Sequence, residues 1–201
     1  ISEAAVISSG GIIAARSVKV AGERFDAAII SYLKQRRNLV VGMPTAEELR
    51  ITIGTCDPRL DRGSMTVYGR NARTGLASRQ EVYASEVCEA ITPSLSAVMR
   101  TALSILEDVP PEIAADIYTY GLMLTGGCAE MPGLPAFIRR ETGLRVTVAD
   151  RPRDAVINGF TDEQARNEAK RCLECGCHDY AECRLILNQP STKSLSSLPL
   201  R

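Results

Sequence analysis

Apolar residues change their spacing several times along this chain, and each change marks an element. Positions 4–7 and 12–20 are short apolar or alternating runs on either side of Ser8, Ser9, Gly10 and Gly11, the pattern of a β-hairpin with a glycine-containing turn. From Phe25 the apolar positions recur at Ala28, Ile29, Tyr32 and Leu33, the spacing of one helix face. That run ends in Lys34, Arg36 and Arg37, cations that suit the negative end of a helix dipole. Pro44 followed by Thr45-Ala46-Glu47-Glu48 reads as a capping box, in which the Thr45 hydroxyl and the Glu48 carboxylate satisfy orphan amides at a helix start. Residues 65–68 and 81–83 flank a polar, glycine-containing segment, 69–75, as two strands of a hairpin with a longish loop would.

A new helical pattern starts at Ser85 and runs through Val87 and Ile91. Thr92-Pro93 is expected to interrupt it, because proline lacks an amide and clashes with the preceding turn, and Thr92 is expected to re-cap a second helix. That second helix carries Leu95, Val98, Ala102 and Leu106 on one face and stops before Pro110-Pro111. Leu122-Met123-Leu124 then reads as a short buried strand and Thr125-Gly126-Gly127 as a tight turn. Residues 134–141 read as a helix with Gly143 at its C′ position, and 145–149 as a second strand. Strand, glycine turn, helix and strand make a βαβ unit.

Composition narrows the class. The 201 residues suffice for one good-sized core or two small ones, and 45% are apolar. Basic and acidic residues are equal at 24 each, so the bulk charge offers no basic surface for nucleic acid. No apolar run approaches the roughly 20 residues that span a bilayer, and Ile1 opens into strand-like sequence rather than a signal peptide, so the chain reads as cytoplasmic. The absent initiator Met points to a fragment. Cys56, Cys88 and Cys128 are scattered while four further cysteines crowd together, which suits a reducing compartment better than a disulfide framework. Isolated cysteines such as Cys56 and Cys88 behave as small buried hydrophobes.

A Gly-Gly pair between strand and helix lets a backbone approach a ligand with no Cβ in the way, and the helix start offers free amides to negative charge. Nucleotide binding is one reading of Gly126-Gly127; a tight connection that merely needs positive φ is the other. The longer segment decides between them. Leu124-Thr125-Gly126-Gly127-Cys128-Ala129-Glu130-Met131-Pro132-Gly133-Leu134, with Glu141-Thr142-Gly143 and residues 146–152 after it, resembles the C-terminal half of the MreB family, bacterial actin-like proteins of rod-shape determination. Ala5-Val6-Ile7-Ser8, Gly10-Gly11-Ile12, Val20-Ala21-Gly22, Asp26, Ala28-Ile29-Ile30-Ser31-Tyr32, Thr45-Ala46-Glu47 and Ile53-Gly54 follow in the same order and spacing, so the resemblance covers about residues 1–160.

The resemblance implies an α/β fold: the second half of an actin/hexokinase-type nucleotide-binding fold, residues 1–21 and 85–160, with an α+β subdomain inserted at 22–84. It implies ATP with Mg as cofactor, with Gly126 and Gly127 in the turn, Gly22 and Asp26 near the ribose, and Glu47 with Arg50 near the adenine. Departures are Cys128, where the family usually carries a third glycine, and Arg50, where it commonly has Lys; a planar fork is not a substitute for a point donor. Without the resemblance, Asp26 and Glu47 read as acidic residues near helix starts, lying in solvent and favoured by the dipole. The family's first phosphate loop, its water-positioning carboxylate and its Asp-x-Gly loop have no counterpart in these residues. The expectation is therefore an incomplete actin-like cytoskeletal protein with little or no ATP turnover. Its complete relatives are slow ATPases that self-associate into filaments and work with cell-shape and wall-synthesis proteins along the inner membrane.

After residue 160 the composition shifts. Cys172-Leu173-Glu174-Cys175-Gly176-Cys177-His178, followed by Cys183, places four thiols within twelve residues, enough to surround a tetrahedral Zn²⁺, with His178 able to replace one sulfur, or to ligate an iron–sulfur cluster. Residues 168–177 resemble the cysteine-rich region of flavin-dependent oxidoreductases related to the glutamate synthase small subunit, which implies an iron–sulfur site at Cys172, Cys175, Cys177 and Cys183. An unligated tail is the other reading of residues 161–187. A redox or metal-binding module on an actin-like scaffold is the alternative function. Residues 188–201, a mixture of Ser, Pro and Leu without periodicity, read as disordered.

Overall fold

The computed structural model describes residues 1–8 and 11–155. Residues Ile1–Arg153 form one compact unit, to which all the elements below belong. The cysteines at 172, 175, 177 and 183, with His178, lie outside the described residues.

The chain opens with strands β1 (Ser2–Ser8) and β2 (Gly11–Val18), paired antiparallel as the hairpin pattern predicts, with a register shift between Val6 and Ile7. Helix α1 (Gly22–Arg37) buries Phe25, Ile29 and Leu33, the expected apolar stripe. Asn38 ends it in the left-handed conformation, its amide returning to the Leu33 carbonyl. Strand β3 (Leu39–Val40) follows, then helix α2 (Met43–Thr52).

The expected capping box does not form. Helix α2 starts at Met43 behind Gly42, with Pro44 in its first turn and no side-chain cap. Proline has the φ of a first turn and no amide to leave orphaned there, so the helix starts ahead of Thr45.

Strands β4 (Ser64–Asn71) and β5 (Ala77–Tyr83) form the second hairpin, and β3 adds to it in the order β3-β4-β5. Both strands are longer than the apolar pattern suggests. The connection is correspondingly short, because the Asn71 side chain accepts the amides of Arg73 and Thr74 and folds the polar segment into a turn.

Helix α3 (Ala84–Ser104) is one helix with Pro93 inside it, not two. An interior proline costs about 3 kcal/mol. Against that, α3 buries Val87, Ile91, Leu95 and Met99 on one face, each worth about 1.5–3 kcal/mol when fully buried. Continuity wins, and Thr92, rather than capping a new helix, donates its hydroxyl to the Cys88 carbonyl at 2.7 Å.

Helix α4 (Pro111–Tyr120) was not anticipated from the apolar pattern, yet its boundary signals are in the sequence: Pro111 at the start, Glu112 in the first turn and Gly121 after the end. It supplies Ile113, Ala114 and Ile117 to a small second core with Val6, Ile105 and Val109. Arg16 of β2 pairs with Asp108 beside this cluster.

Strand β6 (Leu122–Leu124), helix α5 (Leu134–Thr142) and strand β7 (Val146–Val148) form the βαβ unit, with β6 and β7 parallel and Gly143 closing α5 in the left-handed region. Met123 departs from the expected buried strand, being 69% exposed while Leu122 and Leu124 turn toward the main core. A three-residue strand covered on one face alternates. The main core joins α1, α2, α3 and α5 around Ile29, Leu33, Leu49, Ile91 and Phe137.

The loop after α2 is pinned to the turn before α5. Cys56 donates its amide to the Pro132 carbonyl at 2.8 Å, and Thr55 Oγ1 lies 3.3 Å from the same oxygen. Side-chain and backbone hydrogen bonds from Arg59 hold the Asp57 carboxyl down to about 2. Because that lies below the unfolded value of about 3.9, the contribution is fully present above about pH 4 and is lost as pH falls through 2. Urea midpoints measured from pH 5 to pH 2 are expected to fall more steeply for the native chain than for Asp57→Asn; parallel curves would refute the assignment.

Candidate functional site

Four of the singled-out residues meet at the start of α1. Gly22 is its first residue and Asp26 lies one turn later, while Glu47 and Arg50 sit one turn apart on α2. Arg50 Nε lies 2.6 Å from Asp26 Oδ1 and Arg50 Nη2 lies 3.2 Å from Oδ2, a two-point fork on the carboxylate. Arg50 Nη2 also reaches Glu47 Oε1 at 3.4 Å. The Asp26 and Arg50 side chains are only 5% and 14% exposed, whereas Glu47 is 57% exposed.

The solvent reading of Asp26 is therefore overturned: its carboxylate is a buried partner of Arg50, not a free charge at a helix start. Gly22 belongs to the same arrangement. A Cβ there would stand 3.3 Å from Arg50 Nη2, so the missing side chain leaves room for the guanidinium beside the helix start. Burial works against the charge on Arg50. The hydrogen bonds and charge of Asp26, with smaller contributions from Cys128 and Glu47, more than offset this and raise its pKa.

Cys128 follows the glycine turn directly. Gly126 has φ +83°, a region that favours glycine, and a Cβ on it would meet nothing within 4 Å. A Cβ on Gly127 would meet only Arg153, at 3.8 Å. The turn therefore presents open backbone, as a ligand cradle requires, and the chain passes through a short 3-10 turn (Gly127–Glu130) toward α5. Cys128 packs half-buried against the main core.

Gly22, Asp26, Glu47 and Arg50 thus form one constellation, and Gly126 and Gly127 an open glycine turn. Their chemistry suits an adenine nucleotide: carboxylate oxygens can accept from ribose or base, and open backbone can approach phosphate. Among the described residues no group of three or more His, Cys, Asp or Glu is placed to hold a metal ion. Nor is any helix there long and apolar enough to cross a membrane.

Cys56 and Cys88 are core residues, 2% and 4% exposed, as isolated cysteines tend to be. Burial pushes the Cys56 thiol up to about 12, with Cys88 and Cys128 adding to the effect, so it is inert as a nucleophile.

Two residues near the turn carry no signal in the local pattern. Arg153 Nε lies 2.8 Å from Glu130 Oε2, and the Gly126 amide donates to the Pro152 carbonyl at 2.7 Å. Both contacts join segments more than twenty residues apart in sequence, beyond the reach of periodicity.

The chain is similar to known proteins over most of its described length. The family described as MreB/Mbl protein matches residues 1–171. The cell shape-determining protein Mbl of Bacillus subtilis is 37% identical over 155 residues, covering 77% of this chain and 46% of Mbl. The cell shape-determining protein MreB of Escherichia coli is 36% identical over 157 residues, covering 78% of this chain and 45% of MreB. Among solved structures, MreB5 of Spiroplasma citri bound to AMPPNP superposes with a TM-score of 0.75 at 30% identity, over 87% of this chain and 52% of that one. The chain spans about half the length of the curated relatives it matches.

Proposed function

Because the chain belongs to the MreB/Mbl family of actin-like, cell shape-determining proteins, we propose that it supplies the adenosine side of an adenine-nucleotide site to a cell-shape cytoskeleton. The observations that support this are the meeting of Gly22, Asp26, Glu47 and Arg50 and the open glycine turn at Gly126 and Gly127. Asp26 and Gly22 face the ribose, Glu47 and Arg50 the base, and the turn the phosphates. MreB5, the structural neighbour, has been solved with AMPPNP and with ADP, which supports an adenine nucleotide as ligand.

In this reading residues 1–21 and 85–160 form the nucleotide-binding subdomain and 22–84 the smaller inserted one. On the same reading the chain binds nucleotide with little or no turnover, because the family's first phosphate loop, water-positioning carboxylate and Asp-x-Gly loop have no counterpart in these residues. Self-association into filaments and work with wall-synthesis proteins on the cytoplasmic side of the membrane complete the proposal by family likeness. The metal or iron–sulfur reading of Cys172, Cys175, Cys177 and Cys183 stands apart from it. The family match ends at residue 171, one position before the first of these cysteines, and that reading rests on their spacing and on the short resemblance of residues 168–177.

Calorimetric titration with ADP, native chain beside Gly127→Val, tests the nucleotide reading. A Cβ there meets nothing within 4 Å outside the turn itself except the Arg153 side chain, so the fold should survive, while the valine's branches fill the open face of the turn. Measurable binding to the native chain, weakened at least tenfold in the variant, is expected. Equal affinities, or no binding to either, would sink it.

A further inference from the structure

We propose that Arg153 is a phosphate-contacting residue of the glycine turn, held ready by Glu130 and exchanged onto the ligand when a nucleotide enters. The inference rests on the nucleotide reading above and adds to it a residue outside the constellation already described.

The position of Arg153 is set by backbone, not by its own ion pair. The Ala149 amide donates to the Leu124 carbonyl at 3.0 Å, and the Gly126 amide donates to the Pro152 carbonyl at 2.7 Å, so the strand leaving β7 is sewn to the strand and turn leaving β6. Between these two bonds Arg151 adopts φ +48°, a left-handed conformation that a side chain disfavours. That bend carries the buried Pro152 against the turn and brings Arg153 alongside Gly127. Its Nε and Cγ lie 3.8 and 3.9 Å from where a Gly127 Cβ would be, and outside the turn itself no other described atom comes within 4 Å of that point.

The charge then has somewhere to go. The Arg153 side chain is 68% exposed, and among the described residues its only hydrogen bond is through Nε to Glu130, itself 42% exposed. The Nη atoms remain available as donors. A pair this exposed contributes little stability and exchanges easily. A phosphate entering over the open face of Gly126-Gly127 offers the planar fork a better partner than a lone carboxylate oxygen does. Glu130 serves meanwhile to keep the guanidinium at the rim of the turn.

The test compares ADP with adenosine, which has no phosphate, on the native chain, Arg153→Gln, Arg153→Lys and Glu130→Gln. Arg153→Gln is expected to weaken ADP about tenfold, the scale of one exposed charge-assisted contact, while leaving adenosine unchanged. Arg153→Lys should recover part of the loss, and Glu130→Gln should bind ADP at least as tightly as the native chain. Unchanged ADP affinity in Arg153→Gln, or equal losses for ADP and adenosine, overturns the assignment while leaving the nucleotide site standing. A native chain that binds neither ligand overturns the site and the inference together.

Discussion

Asp26→Ala is expected to lower the unfolding free energy by about 3–4 kcal/mol, read as a shift of the urea midpoint at unchanged slope. The cost comes from what is left behind. Arg50 is 14% exposed and its fork is matched to the two Asp26 oxygens at 2.6 and 3.2 Å, with only a longer contact of 3.4 Å to Glu47 in reserve. Removing Asp26 strands a guanidinium whose remaining partner is in solvent. Removing both charges should hurt far less, because an apolar pair of similar volume strands nothing. The double variant Asp26→Leu, Arg50→Met is therefore expected to recover most of the loss in stability. A loss below about 1 kcal/mol for Asp26→Ala would show that the pair is not sequestered from water as described.

The second large effect belongs to Gly133. Replacement by Ala should cost about 3 kcal/mol, part from forcing a side chain into the left-handed region and part from overpacking. Gly133 has φ +81°, and a Cβ there would lie 2.9 Å from both the Cβ and the amide nitrogen of Asp57, with Leu60 Cδ1 at 3.2 Å. The Asp57 backbone cannot retreat freely, because its neighbours Thr55 and Cys56 are bound to Pro132. Gly143 separates the two causes: it has φ +70° but open space around its missing Cβ. Gly143→Ala should cost only the backbone strain, so thermal or urea unfolding of the two variants isolates the clash. Equal losses in the two would mean that the contact between the Thr55–Asp57 loop and the turn before α5 is looser than these distances imply. Since Gly133 lies three residues after Glu130, at the end of the connection that starts with Gly126, its alanine variant should also weaken nucleotide binding.

Several elements were legible from the chain alone because their causes are local. The hairpin at 2–18 follows from alternation about a glycine turn, α1 from the stripe of Phe25, Ile29 and Leu33, and the βαβ unit from glycines at 126, 127 and 143 punctuating short apolar runs. Family membership was legible for the same reason, since the motif around Gly126 is contiguous. Where local rules compete with packing, they failed. Thr92-Pro93 reads as a helix break, yet α3 runs through it because the buried face on both sides is worth more than one lost backbone bond.

The site divides along the same line. Sequence determined which residue types are present: glycines that leave backbone open, a carboxylate at 26, an arginine at 50. Only the tertiary structure decided that Asp26 and Arg50, 24 positions apart on two helices, are a buried fork-and-carboxylate pair, and that Arg153 lies over Gly127 with Glu130 as its partner. Periodicity reports which face of an element is apolar and nothing about which elements touch. Pairing of charges across helices, and the approach of a side chain to a bare glycine, are set by how those faces pack.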